Sequence, residues 1–201
     1  MGLQAFINQL ESSEPVPGGG SVAALSSALA SALAAMVANL TVGKKNYEDV
    51  SEEMDMIAQK MSAHKQTFVD MIDKDANSFD SVMKAYKLPK ETDEEKAHRN
   101  GLIQEGMKYA ASVPLEVAEK TAVLFDDLAV LVKSGNKNAQ TDALVAAMMA
   151  RTAILSALYN VKINLGSIKD DAYVSEMKVK VKALETMAVL REQEILALSD
   201  L

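Results

Sequence analysis

The stretch Pro15-Val16-Pro17-Gly18-Gly19-Gly20-Ser21-Val22-Ala23-Ala24, with the helix it launches, decides the fold. No charged residue occurs from Pro15 through Gly43, and Lys44-Lys45-Asn46-Tyr47 follows at once. Pro15 and Pro17 push the residues before them out of the α region, so any preceding helix stops there. Gly18, Gly19 and Gly20 then reach backbone angles that cost other residues more. Ser21 is suited to cap the helix that follows. Along that helix Val22, Leu25, Leu29, Leu33, Met36, Val37 and Leu40 recur at three- and four-residue steps and draw one stripe. Ala and Ser occupy the other faces, which lets neighbouring helices approach closely on several sides. This is the pattern of a central helix in a bundle. Gly43 is placed as the stop, and Lys44 and Lys45 complement the negative end of the helix dipole.

The uncharged run is long enough to cross a bilayer. Its content argues against that use. Ser21, Ser26, Ser27, Ser31, Asn39 and Thr41 are polar and much of the remainder is Ala, so a helix buried in protein is expected and no membrane contact.

Outward from this stretch the chain reads as further helices. Leu3, Phe6, Ile7 and Leu10 mark a short amphipathic helix over 3–12. Met54, Ile57, Met61, Phe68, Ile72, Phe79, Val82 and Tyr86 mark a long one over 50–88, its apolar residues filling an arc of roughly 100°. His64 and Asp75 fall inside that arc, whereas Asp70, Asp73 and Asp80 fall outside it, on faces expected to be solvated. Leu88-Pro89-Lys90 ends the pattern, and Thr92-Asp93-Glu94-Glu95 has the form of a capping box. The helix it opens is expected to reach about Val132, kinked near Ser112-Val113 by Pro114. Ser134-Gly135-Asn136 is a turn. Residues 138–165 carry only Asp142, Arg151 and Lys162 as charges and read as a buried helix, and 172–198 as a final amphipathic one. No strand-like alternation, repeat or linker is seen. The expected fold is all-α, an up-and-down bundle of long antiparallel helices around the Ala-rich one, in a single domain spanning 1–201.

Composition narrows the function. A net charge of -7 argues against nucleic acid, whose binders draw affinity from phosphate neutralisation. With no Cys, disulfide and thiolate chemistry are excluded, and a cytoplasmic setting is expected. Two His and no Cys leave few metal ligands, so no metal is expected. Met1-Gly2-Leu3-Gln4-Ala5 lacks the basic region of a secretory leader.

Among candidate site residues, the glycine run either presents free backbone N–H groups to an anion or makes a tight turn for packing. It is not a P-loop, since no Gly-Lys-Ser/Thr follows, and not a dinucleotide fingerprint, since no strand precedes it. Asp75, a carboxyl on a buried helix face, is desolvated; this raises its pKa and suits it to donate a proton near neutral pH, or else it is held by a structural partner. His64 reads as a satisfied core histidine. Asp142 lies in a helix first turn, where the dipole alone explains it. Asn160 and Asn164 stand on an apolar helix and need partners, either structural or a ligand with donors and acceptors. Lys44 and Lys45 are either a helix-end charge pair or a grip for carboxylates.

Taken together these islands resemble the cyclodeaminase/cyclohydrolase family, best known as the C-terminal domain of formiminotransferase-cyclodeaminase. The resemblance rests on residues 15–24, on Gly43-Lys44-Lys45-Asn46-Tyr47, and on Asp73-Lys74-Asp75-Ala76-Asn77-Ser78-Phe79. It continues through Leu88-Pro89-Lys90, Ser112-Val113-Pro114-Leu115, Gly135-Asn136, Thr141-Asp142 and Asn160-Val161-Lys162-Ile163-Asn164-Leu165, so it covers nearly the whole chain. Thr141 stands where the family has Ser, and keeps the hydroxyl. The resemblance implies a homodimeric, all-helical folate enzyme without a further cofactor. Its activity would be closure of 5-formiminotetrahydrofolate to 5,10-methenyltetrahydrofolate with loss of ammonia, or hydrolysis of the methenyl compound to 10-formyltetrahydrofolate. The family's proton-donor aspartate matches Asp75. Lys44 and Lys45 would then face the glutamate tail of a folate, polyglutamylated or not. Gly18, Gly19, Gly20 and Ser21 would contact pterin or tail, Asp142 or Asn164 would read the pterin edge, and Asn160 would be a further substrate contact. The alternative of another class is a non-catalytic helical binding module, which leaves the glycine loop and basic pair unexplained.

Overall fold

The computed structural model describes residues 2–199 and Leu201; Met1 and Asp200 lie outside the described residues. Among the described residues the chain forms α1 (Leu3–Leu10), α2 (Gly19–Asn39), α3 (Ser51–Ser78), α4 (Asp80–Tyr86), α5 (Asp93–Ala122), α6 (Leu124–Ser134), α7 (Gln140–Leu165) and α8 (Asp171–Leu196), and no strand. The all-α expectation holds. α2 runs antiparallel to both α3 and α7. The start of α2 meets the end of α3 through Ser21 and Asp75, and its end meets the start of α3 through Gly43 and Ser51.

α2 packs along α3 on one side and α7 on the other, and α7 in turn contacts α5 and α8. The face that α2 turns inward is its small one. Ala23, Ala24, Ser27, Ala30, Ser31, Ala34 and Ala38 are fully buried. Short side chains let three helix backbones approach closely, and the many resulting dispersion contacts replace what a layer of leucines would supply. The buried hydroxyls are satisfied locally: Ser31 donates to the Ser27 carbonyl at 3.0 Å, and Ser27 shares a hydrogen bond with the Thr121 hydroxyl at 2.6 Å. Part of the large stripe points the other way. Leu29, Met36 and Leu40 are 47%, 38% and 49% exposed, and only Val37 of the stripe is fully buried. The Ala-rich helix is therefore central by its small face and open to the surface by its large one. By length and composition α2 and Lys137–Leu165 are both apolar enough to cross a membrane, and 61% of the most apolar part of α2 is buried in the bundle.

Two boundaries differ from those read in the sequence. The long helix over 50–88 is interrupted at Phe79, giving α3 and α4. Ser78 donates its hydroxyl to the Asp75 carbonyl at 2.7 Å, and the Phe79 N–H turns to the Asn77 carbonyl instead. A serine hydroxyl competing for a helix carbonyl disturbs the ladder at that point. Pro114, by contrast, does not break its helix: α5 runs on past it to Ala122, and the break in the helix expected to reach about Val132 falls at Val123 instead. Pro114 cannot donate to the Ala110 carbonyl, but Asn164 of α7 does, through Nδ2 at 2.9 Å. The orphaned acceptor is satisfied from a neighbouring helix, and α5 passes through. The Thr92–Glu95 capping box forms as expected.

If close approach on the small face of α2 holds the bundle, Ala34→Leu should destabilise it by about 1–3 kcal/mol through overpacking. Calorimetry would show a Tm lower by several degrees; an unchanged Tm would mean that α2 has room its packing does not use.

Candidate functional site

The N-terminus of α2 is the anchor of the site. The first N–H groups of a helix have no partner within it, and here the first ladder bond runs from the Val22 N–H to the Gly18 carbonyl. Gly18, not Ser21, is the N-cap, so the expected cap residue lies two positions inside the first residue of the helix. Glycine has no side chain to accept from this turn, and the acceptor comes instead from α3. Asp75 Oδ2 accepts from the Ser21 hydroxyl at 3.0 Å, and the same hydroxyl lies 3.1 Å from the Ile72 carbonyl.

This contact explains two of the three glycines. A β-carbon on Gly20 would collide with the Asp75 carboxyl, and one on Gly19 would stand 3.0 Å from Asn160 Nδ2. Both positions are small because polar side chains of α3 and α7 lie against the helix start. Opposing effects act on the carboxyl. Burial pushes its pKa up, and hydrogen bonds from the Ser21 hydroxyl and backbone N–H pull it down; burial wins, so it lies above the ordinary aspartate value.

Around Asp75 opens a cleft of about 260 Å³. Pro15, Val16 and Gly18–Gly20 form one wall, Asp75, Ser78 and Phe79 a second, and Ala110, Asn160, Ile163 and Asn164 close it from α5 and α7. Asn160 donates one amide hydrogen to the Ser156 carbonyl at 2.9 Å, and Asn164 one to Ala110. Each carboxamide oxygen is then available to a ligand's donors. The cleft offers a carboxyl poised to exchange a proton, two amides, and apolar surface from Phe79 and Ile163. Ile163 is 74% exposed, an unusual state for so large an aliphatic group.

Of the residues predicted from sequence, Gly18, Gly19, Gly20, Ser21, Asp75, Asn160 and Asn164 come together here. Lys44, Lys45 and Asp142 do not. The lysines lie beyond the other end of α2, about 30 Å away at 1.5 Å per residue, and both are exposed. Asp142 sits in the first turn of α7, at that same far end. There Asn136 closes the C-terminus of α2, donating from its amide to the Leu40 carbonyl at 2.9 Å and from its backbone to Thr41 Oγ1 at 2.9 Å. His64 stacks on Phe68 with ring centroids 6.2 Å apart, and burial together with Lys60 lowers its pKa. It is a packed histidine away from the cleft. Phe79 and Ile163 carried a sequence signal, one in the α3 stripe and the other between the two asparagines. Ala110 carried none. No group of three or more His, Asp or Glu among the described residues is placed to hold a metal.

The raised pKa of Asp75 has a definite sign in stability. Between the ordinary aspartate value and the raised one, the folded chain keeps a proton the unfolded chain has released, so stability falls as pH rises through that window. Asp75→Asn removes this slope. Urea unfolding from pH 4 to 7 should show the variant gaining on the wild type as pH rises. The opposite trend would mean that the helix N-terminus holds the carboxylate more strongly than burial opposes it.

Comparison with known proteins agrees with this arrangement. The formiminotransferase-cyclodeaminase family profile matches residues 2–183. A methenyltetrahydrofolate cyclohydrolase of Methylorubrum extorquens is 40% identical, covering 91% of this chain and 86% of that protein. The formimidoyltransferase-cyclodeaminase of Sus scrofa is 36% identical over 90% of this chain, which spans only 34% of that longer protein. The crystal structure of formiminotetrahydrofolate cyclodeaminase from Thermotoga maritima superposes with a TM-score of 0.88 at 34% identity, covering 98% of this chain and 95% of that one. With matches of this extent across both sequence and fold, the chain belongs to the formiminotransferase-cyclodeaminase family.

Proposed function

We propose that this chain is a folate one-carbon enzyme that closes 5-formiminotetrahydrofolate to 5,10-methenyltetrahydrofolate, with Asp75 as general acid and base. The observation that carries this reading is the placement of Asp75: a carboxyl with a raised pKa, fixed by Ser21, at the floor of a cleft with amide and apolar walls.

N10 of the folate adds to the carbon of the protonated formimino group, the bond from N10 to carbon forms, and the C=N double bond becomes a single bond to a neutral amine. N10 gives up its proton. The amine takes a proton and leaves as ammonia, and the carbon retains a double bond shared between N5 and N10. A carboxyl that takes the first proton as carboxylate and returns one to the amine serves both steps. Asn160 and Asn164 would read the donor edge of the pterin, and Phe79 and Ile163 would cover its ring.

A second reading is the hydrolysis of 5,10-methenyltetrahydrofolate to 10-formyltetrahydrofolate. It is supported by the 40% identity to the Methylorubrum cyclohydrolase across most of both chains. In that direction Asp75 as carboxylate would take a proton from the attacking water. No cofactor beyond the folate is required by either reaction. We place the protein in the cytoplasm, away from membrane and nucleic acid, as a homodimer acting on folates with one or several glutamates. The exposed aliphatic surface of α1 and α2 supports the dimer.

Purified protein mixed with 5-formiminotetrahydrofolate should generate the near-ultraviolet absorbance of the methenyl product; mixed with the methenyl compound, a cyclohydrolase would consume it. No change in either mixture would sink the enzymatic reading. Asp75→Asn should fold and lose turnover by a factor on the order of 10² or more, and undiminished turnover would remove Asp75 from the reaction.

A further inference from the structure

Pro114 is buried inside α5, where a proline costs more than any other residue. Neither it nor Ser112, Val113 or Leu115 lines the Asp75 cleft. Its place is explained by what it withholds. In a helix the N–H of residue 114 would donate to the carbonyl of Ala110, one turn or about 6 Å back. Proline has no N–H, so that carbonyl is left to Asn164 of α7, which donates to it through Nδ2 at 2.9 Å. Ala110 is itself buried. A buried carbonyl without a partner is costly, and this gives it a firm hold on the amide.

The bond decides which end of the amide the cleft sees. A carbonyl only accepts, so the Asn164 atom facing Ala110 is the nitrogen, and the oxygen is turned to the cleft that Asn164 lines. Were the Ala110 carbonyl paired within α5, the same amide could turn over and offer a donor instead, at no loss to the fold. Asn160 is held differently. Its Nδ2 donates at 2.9 Å to the Ser156 carbonyl, four residues back in its own helix, a local contact that needs nothing from α5.

We infer that Pro114 is a positioning residue for the pterin. By leaving the Ala110 carbonyl open, it locks the Asn164 carboxamide with its oxygen toward the cleft, and so commits this wall to a ligand edge that donates N–H groups. The inference rests on the folate reading above and deepens it. The pterin edge is remote from the carbon that reacts, so a contact there holds substrate and transition state alike. It therefore belongs to KM rather than to kcat.

Steady-state kinetics of Pro114→Ala test it, on whichever of 5-formiminotetrahydrofolate and 5,10-methenyltetrahydrofolate the wild type turns over. Alanine restores the N–H to α5 and frees the amide. KM should rise about three- to tenfold, the worth of one hydrogen bond, with kcat within about twofold. Lactic acid placed at position 114 by amber suppression keeps the alanine side chain but has an ester oxygen where the N–H was, and should return KM to the wild-type value. In the Asn164→Ala background, Pro114→Ala should leave KM where Asn164→Ala alone puts it. It should also raise the Tm of that chain, because the stranded Ala110 carbonyl regains a donor.

An unchanged KM in Pro114→Ala would overturn the inference. So would an ester chain no better than the alanine one, or a KM effect that adds to that of Asn164→Ala, since the ring and not the missing N–H would then matter. A chain unfolded by Pro114→Ala would count against it in the same way. Wild-type protein silent on both substrates would instead sink the folate reading, and the inference with it.

Discussion

One contact organises the molecule: the Asp75 carboxyl docked on the first turn of α2. A helix N-terminus favours an anion, and burial disfavours one. The two meet on a single side chain, and burial prevails. A group so balanced is structurally necessary in either protonation state, as acceptor for Ser21, while remaining able to change state as a reaction proceeds. Under the proposed function, fold and chemistry use the same atoms. The glycines at 19 and 20 exist in their present form because this contact and its neighbour at Asn160 leave no space for a β-carbon.

The other arrangements follow from seating α2 between α3 and α7. Its small face admits both helices closely, and its far end is closed by Asn136 acting on Leu40 and Thr41. Asn164 links the site to the scaffold. By donating to the carbonyl that Pro114 leaves without a partner, it keeps α5 continuous and places its own oxygen at the cleft. Proline and asparagine, from islands fifty residues apart in sequence, turn out to be one device.

Much of this was legible in the residues. Periodicity gave the helices, and the wheel separated Asp75 from the exposed Asp70, Asp73 and Asp80. The motifs also pointed to the family. What escaped depended on partners distant in sequence. Ser21 read as a cap because local rules favour serine there, yet the helix starts at Gly19 since an acceptor arrives from α3. Pro114 read as a kink because Asn164 could not be seen beside it. The stripe of α2 showed that large and small faces exist, but not that the small one would turn inward. Lys44, Lys45 and Asp142 matched the family's pattern, and the pattern carried no distances.

The proposed chemistry depends on the state of one carboxyl. Titration of the Asp75 carboxyl carbon by nuclear magnetic resonance, in protein labelled at aspartate and assigned with Asp75→Asn, measures that state directly. The predicted midpoint lies above the ordinary aspartate value, and Ser21→Ala should move it higher by removing a hydrogen bond that favours the charged form. A midpoint at or below the ordinary value would contradict the account, because Asp75 would then be a permanent anionic cap for α2 rather than the proton carrier of the cleft.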